Sequence, residues 1–148
     1  MDKQKRIIGI TCSTFDLLHA GHIIMLEECK KYCDFLICAL QVDPTIDRKE
    51  KNKPVQSLVE RYIQLEAVSY VDKIIPYSTE EELITIFSAL DLDVRIIGEE
   101  YKDKEFTAKN ICQKRGIKLI YNKRDHNFST TNLRNLIYSQ ETDKRFVK

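Results

Sequence analysis

The sequence predicts an α/β fold in one domain: a doubly wound, parallel, five-stranded sheet flanked by helices. Three observations carry this reading. Short apolar, β-branched runs alternate with helix-like amphipathic segments along the chain. The length of 148 residues suits one domain with enough apolar content to bury a core. The residues with chemical potential gather after the strand candidates, and a doubly wound sheet holds its ligands outside the carboxyl ends of its strands.

The first strand candidate spans residues 6–12, where Ile7-Ile8-Gly9-Ile10-Thr11-Cys12 is apolar and β-branched. A helix over 21–33 follows, since Ile23-Ile24-Met25-Leu26-Glu27-Glu28-Cys29 has a helical rather than alternating pattern. Strands over 34–40, 71–76, 93–97 and 117–121 then alternate with helices over 58–69, 79–90, 107–115 and 130–138. Thr79 followed by Glu82 fits a capping box, and Gly116 fits a helix C-terminus. Strict alternation implies right-handed crossovers and a sheet covered on both faces. Residues 1–139 form the expected domain, and 140–148 a polar C-terminal tail that frays.

Composition excludes several classes of partner. Lys plus Arg total 24 against 23 for Asp plus Glu, so no global field favours nucleic acid or an anionic membrane. The start, Met1-Asp2-Lys3-Gln4-Lys5-Arg6, is polar, and no apolar run has the length of a membrane span. Five cysteines, Cys12, Cys29, Cys33, Cys38 and Cys112, form no Cys-x-x-Cys pair and are odd in number, which argues against a disulfide framework. A cytoplasmic protein is expected.

The most informative stretch is Thr14-Phe15-Asp16-Leu17-Leu18-His19-Ala20-Gly21-His22, with two histidines three residues apart where a strand gives way to a helix. The first N–H groups of a helix lack internal partners and its dipole is positive there, so helix start and imidazoles together can bind a polyphosphate. Later loops bring Asp43 and Arg48-Lys49-Glu50-Lys51-Asn52-Lys53, then Gly98-Glu99-Glu100-Tyr101-Lys102, then Lys123-Arg124-Asp125-His126-Asn127-Phe128-Ser129-Thr130-Thr131. Ser129, Thr130 and Thr131 read both as a helix N-cap and as an anion site. Asp16 reads equally as a brace of its turn and as a substrate contact.

These segments resemble the nucleotidyltransferase superfamily whose signature is His-x-Gly-His, and most of all its glycerol-3-phosphate cytidylyltransferase group. The motifs are the His19–His22 stretch, Glu60-Arg61 on a helix, Tyr70-Val71-Asp72-Lys73-Ile74-Ile75-Pro76, and Arg124 with Ser129-Thr130-Thr131. The resemblance implies a Rossmann-like fold and a transferase: an acceptor phosphate oxygen attacks the α-phosphorus of CTP, and pyrophosphate leaves. In such transfers the protein positions the partners and neutralises charge.

By the same resemblance His19, His22, Lys53, Arg124 and Thr130 take catalytic places. Thr14, Phe15, Asp16, Gly21, Gly98, Glu99, Ser129 and Thr131 bind the nucleotide. Asp43, Arg61, Lys49 and Lys51 face the substrate phosphate. Among the loop lysines, Lys53 is favoured because it precedes Pro54 and the motif helix. Mg²⁺ is expected with the triphosphate, held chiefly by the nucleotide rather than by a protein metal site. A homodimer is implied, with residues 70–72 at the contact.

The departures leave alternatives open. Ser69 stands where that group usually has an arginine, so one phosphate-binding cation is missing. Lys53-Pro54-Val55, Ser69 and Ser129-Thr130-Thr131-Asn132 look more like heptose-phosphate adenylyltransferases, which use ATP on a sugar phosphate. A non-catalytic nucleotide-binding module is the second alternative, although such a copy should have lost the histidines or the final Ser-Thr motif.

Overall fold

The structure, a computed structural model, describes residues 4–146; the first three residues of the polar start and the last two of the tail lie outside the described residues. The element order is β1 (Ile8–Ser13), α1 (Ala20–Lys30), β2 (Phe35–Gln41), α2 (Leu58–Glu66), β3 (Lys73–Tyr77), α3 (Glu80–Ala89), β4 (Val94–Gly98), α4 (Lys109–Arg115), β5 (Lys118–Asn122) and α5 (Thr130–Phe146). Short 3₁₀ turns at Pro44–Ile46 and Glu99–Tyr101 follow β2 and β4. All strand pairs are parallel, in the order β3-β2-β1-β4-β5. The order reverses between β1 and β4, which opens a crevice at their carboxyl ends.

Strand β2 shows why the sheet is covered twice. Leu36, Cys38 and Leu40 point to one side, where they join Phe15, Leu26, Cys29, Leu65, Val94 and Ile96. Ile37 and Ala39 point to the other, into a cluster with Ile10, Tyr77, Leu83, Phe87 and Cys112. Successive residues of a strand face opposite sides, so a strand apolar at every position needs a helical layer on each. The cysteines are free, and all but Cys12 are buried. Burial pushes the thiols of Cys29 and Cys12 up to about 12 and about 11, so they behave as small apolar fillers.

Helix starts are set by local hydrogen bonds. Thr79 and Glu82 form the expected capping box, with Glu82 N–H donating to Thr79 Oγ1 at 3.1 Å. Ser57 and Glu60 make another at the start of α2. Gly116 ends α4 at φ 70°, a left-handed conformation that glycine adopts without a Cβ penalty.

One expectation is overturned. The tail expected to fray after residue 138 continues as helix to Phe146. Its polar sequence lacks an apolar period, but it also lacks glycine and proline. Glu141 pairs with Lys144 one turn on, and Thr142 Oγ1 donates to Tyr138 O at 2.8 Å.

Candidate active site

A cleft of about 990 Å³ opens at the carboxyl ends of the strands, beside the start of α1. Thr14, His19, Gly21, His22, Gly98, Arg124, Ser129, Thr130 and Thr131 line it, as does Lys51 of the basic loop. Two helix starts meet there, because α5 begins at Thr130 and α1 at Ala20.

The histidines are oriented by the backbone. His19 is the N-cap of α1, and its Nδ1 accepts from Gly21 N–H at 3.0 Å. His22 Nδ1 accepts from His19 N–H at 3.2 Å, which completes a reciprocal cap. A ring nitrogen that accepts carries no proton, so each neutral imidazole has its proton on Nε2. His19 Nε2 lies 3.2 Å from Thr130 Oγ1, whose hydroxyl donates to Asp16 O at 3.2 Å. The two rings are 4.0 Å apart between centroids. A Cβ on Gly21 would come within 2.8 Å of both His19 Cε1 and His126 Cε1, so glycine is what lets the rings close over the helix start.

Both imidazoles are held neutral. Burial, then His19 and Arg124, push the His22 ring down to about 4 against a weaker pull upward from Asp16. Burial, then His126 and Arg124, lower His19. At neutral pH the site therefore offers two N–H donors rather than two fixed cations. Since the unfolded chain takes up a proton near 6.5 and folded His22 only near 4, stability falls as pH drops through that window and is flat above it. Melting midpoints followed from pH 8 to pH 4 should drop more steeply for the native chain than for His22→Gln; parallel curves would show that His22 is not buried neutral.

The loop before α1 is strained and pinned. Phe15 and Leu17 have φ of 49° and 52°, left-handed conformations that cost non-glycine residues about 1–3 kcal/mol. Asp16 between them accepts from Val55 N–H at 2.9 Å and Gln56 N–H at 3.0 Å, and Leu17 N–H donates to Gln56 Oε1 at 2.8 Å. Arg61, 2 % exposed, reaches under the loop. It donates to the carbonyls of Thr14 (3.0 Å), Gln41 and Val42 (2.6 Å each) and Gln56 (3.2 Å). One guanidinium thus ties together the loops that leave β1 and β2.

These contacts correct seven expectations. Arg61 has spent its donors on carbonyls and does not face a substrate phosphate. Asp16 lines the cleft, but both carboxylate oxygens brace the turn. Phe15 is fully buried beneath the histidines and belongs to the core rather than to the nucleotide. Asp43 caps the Pro44–Ile46 turn, accepting from Thr45 N–H at 2.9 Å and Thr45 Oγ1 at 2.6 Å, and does not line the cleft. Lys49, Lys53 and Glu99 do not line it either. Of the three loop lysines the path of the chain brings Lys51 to the cleft, so Lys51→Ala should raise the KM for the triphosphate several-fold while Lys53→Ala leaves it within twofold; the reverse ranking would restore Lys53.

Arg48 and His126, which the sequence places in its functional loops without a role, also line the cleft, as do Arg95 and Arg134, which it does not single out. Arg134 sits four residues after Thr130, a spacing that puts both on one face of α5. Arg95 was visible as a lone charge within the apolar run Val94-Arg95-Ile96-Ile97.

Known proteins match both fold and motifs. The chain is 34% identical over 125 residues to a glycerol-3-phosphate cytidylyltransferase of Bacillus subtilis, covering 84% of this chain and 92% of the relative. It is 33% identical over 141 residues to a protein of the same name from Staphylococcus aureus, covering 93% and 98%. A crystal structure described as a lipopolysaccharide core biosynthesis protein from Thermoplasma volcanium superposes with a TM-score of 0.64 at 24% identity, over 84% of this chain and all of that one, which shows the shared fold. The family model described as cytidylyltransferase-like matches residues 10–136, a span that takes in the histidine pair, the Arg61 brace and the start of α5. The chain belongs to the cytidylyltransferase-like family.

Proposed function

We propose that the chain transfers CMP from CTP to glycerol 3-phosphate or a close polyol phosphate. An acceptor phosphate oxygen bonds to the α-phosphorus, the bond from that phosphorus to the bridging oxygen breaks, and pyrophosphate leaves. The observation that carries this is the convergence of the His22 Nε2–H, the His19 Nε2–H directed at Thr130 Oγ1, and the starts of α1 and α5 on one cleft. Such donors stabilise the charge that grows on the phosphoryl oxygens and the leaving group.

His19 and His22 donate to the triphosphate from the start of α1, and the backbone N–H groups of Ser129, Thr130 and Thr131 do so from the start of α5. Arg124 and Lys51 supply positive charge from the rims, and Gly98 gives the nucleotide close approach to the end of β4. Mg²⁺ would accompany the triphosphate, held chiefly by the nucleotide and water, and would offset the charge on its phosphates.

Thermal denaturation with Mg²⁺ and each nucleoside triphosphate tests the nucleotide. At about a hundred times its dissociation constant a ligand adds about 2.7 kcal/mol, or roughly 5–10 °C for a domain of this size. CTP should give that shift selectively; a shift with ATP alone would replace the reading with an adenylyltransferase.

The chain works as a two-fold dimer in the cytoplasm. Val55, Val59 and Ile63 put exposed apolar surface on and before α2, next to the segment around Tyr70. Asp72 bonds within its own chain, to Lys30 and to Leu36 N–H, so the contact is drawn towards α2. Five free thiols suit a reducing compartment, and no described helix is long and apolar enough to cross a membrane. Sedimentation at micromolar concentration should give twice the chain mass; a monomer would refute the dimer.

A further inference from the structure

The cleft continues past the histidines onto the face of the sheet covered by α3 and α4, and the group that dominates there is Arg95. It is 4 % exposed and is the second residue of β4. Its guanidinium lies 4.5 Å from the centre of the Phe87 ring and 4.9 Å from that of Phe106, and Nη1 donates to Thr107 O at 2.5 Å.

Arg61 is the informative contrast. Both arginines are buried, but Arg61 meets four carbonyls and lies in the field of Asp16 and Asp43. Arg95 has one carbonyl, Thr107 O, with the sulfurs of Cys12 and Cys112 as weak side-chain partners, and, among the described residues, no carboxylate partner. The groups around it are Cys12, Cys112, Tyr77 and Glu80. Burial keeps both thiols and the phenol protonated, and Glu80 is already bonded to Arg48 at 2.9 Å. Arg95 lines the cleft, so the part of its guanidinium not held by Thr107 O borders the space a ligand would fill. A buried cation left without a counter-charge is costly, and an anionic ligand removes that cost.

We propose that Arg95 binds the acceptor's phosphate and presents it to the α-phosphorus. This rests on the reading of the cleft as a site of nucleotidyl transfer. The sheet supports the placement, because α1 and its histidines lie with the cluster of Leu26 and Cys29 on one face while Arg95 lies among the α3 and α4 residues on the other. Attacking and leaving oxygens lie roughly in line, so the nucleophile needs a cation on the side away from the pyrophosphate site. A guanidinium fork suits a phosphate better than an ammonium does.

Arg95→Met keeps an apolar stem between Phe87 and Phe106 and removes the charge. The KM for glycerol 3-phosphate should rise at least about tenfold, while the KM for CTP and the CTP-induced thermal shift stay within twofold and about 1 °C. An unchanged acceptor KM in a folded variant overturns the proposal, as does an equal rise in the KM for CTP. If Arg95→Met fails to fold, Arg95→Lys decides, with a several-fold rise in acceptor KM at intact CTP binding as the supporting result and an unchanged KM as the refuting one.

If the native chain turns over no polyol phosphate, the proposed function falls and Arg95 is still testable. The side-chain Nε–H signal of Arg95, identified by its absence from the spectrum of a folded Arg95 variant, should move on titration of the native chain with glycerol 3-phosphate or inorganic phosphate. No movement with either removes Arg95 from anion binding.

Discussion

His19→Ala and His22→Ala should each lower kcat at least about a hundredfold, with the chain still folded and still shifted by CTP. The size follows from the geometry. Each ring spends Nδ1 on a backbone N–H and so aims Nε2–H in a fixed direction, that of His19 beside Thr130 Oγ1, and removing one preorganised donor from a developing anion costs about 10²–10³ in rate. The fold should suffer less, because the lost contact is a helix cap of about 1 kcal/mol. Glutamine carries an amide N–H near the position of imidazole Nε2, so His22→Gln should recover about tenfold over His22→Ala, whereas His22→Asn, which reaches only the Nδ1 position, should not. Near-normal turnover in both alanine variants would remove the pair from the mechanism.

Arg61→Met should cost about 3–5 kcal/mol and lower the melting midpoint by roughly 6–15 °C. The side chain is 2 % exposed and donates to four carbonyls in the loops after β1 and β2 and before α2. Methionine fills much of the space but leaves those carbonyls without a donor. Arg61→Lys should fare little better, since an ammonium cannot span acceptors arranged for a planar fork. Turnover should fall with stability, because the same loops carry Asp16, the histidine cap and Lys51. An unchanged midpoint with a raised KM for a phosphate substrate would make Arg61 a ligand contact after all.

The layered fold was legible because β2 is apolar at six successive positions, Phe35–Leu40, which only a sheet covered on both sides can use. Each strand nevertheless starts one or two residues after its sequence-based boundary and ends one after it. Ladder hydrogen bonds end strands, and side-chain pattern does not record them. The length of α5 was hidden because a solvated helix needs no apolar stripe.

In the site, the histidines, Gly21 and the Ser-Thr start of α5 were readable from spacing at a strand-to-helix junction. Arg61 was not. An arginine that ties carbonyls and one that grips phosphate are the same letter, and only the path of the loops separates them. The same holds for Lys51 against Lys53. Arg95 failed in the opposite way, since a strand pattern that marks a position as buried says nothing of what a buried cation lacks.

The central claim is that this cleft moves CMP onto a small phosphate ester. The most direct test is pyrophosphate release by the native chain with Mg²⁺ and CTP, with and without glycerol 3-phosphate, with ATP, GTP and UTP run beside it. Release should need both CTP and the acceptor, with one cytidylylated product per pyrophosphate. Release only with ATP, or none with any triphosphate across a panel of polyol and sugar phosphates, would contradict it.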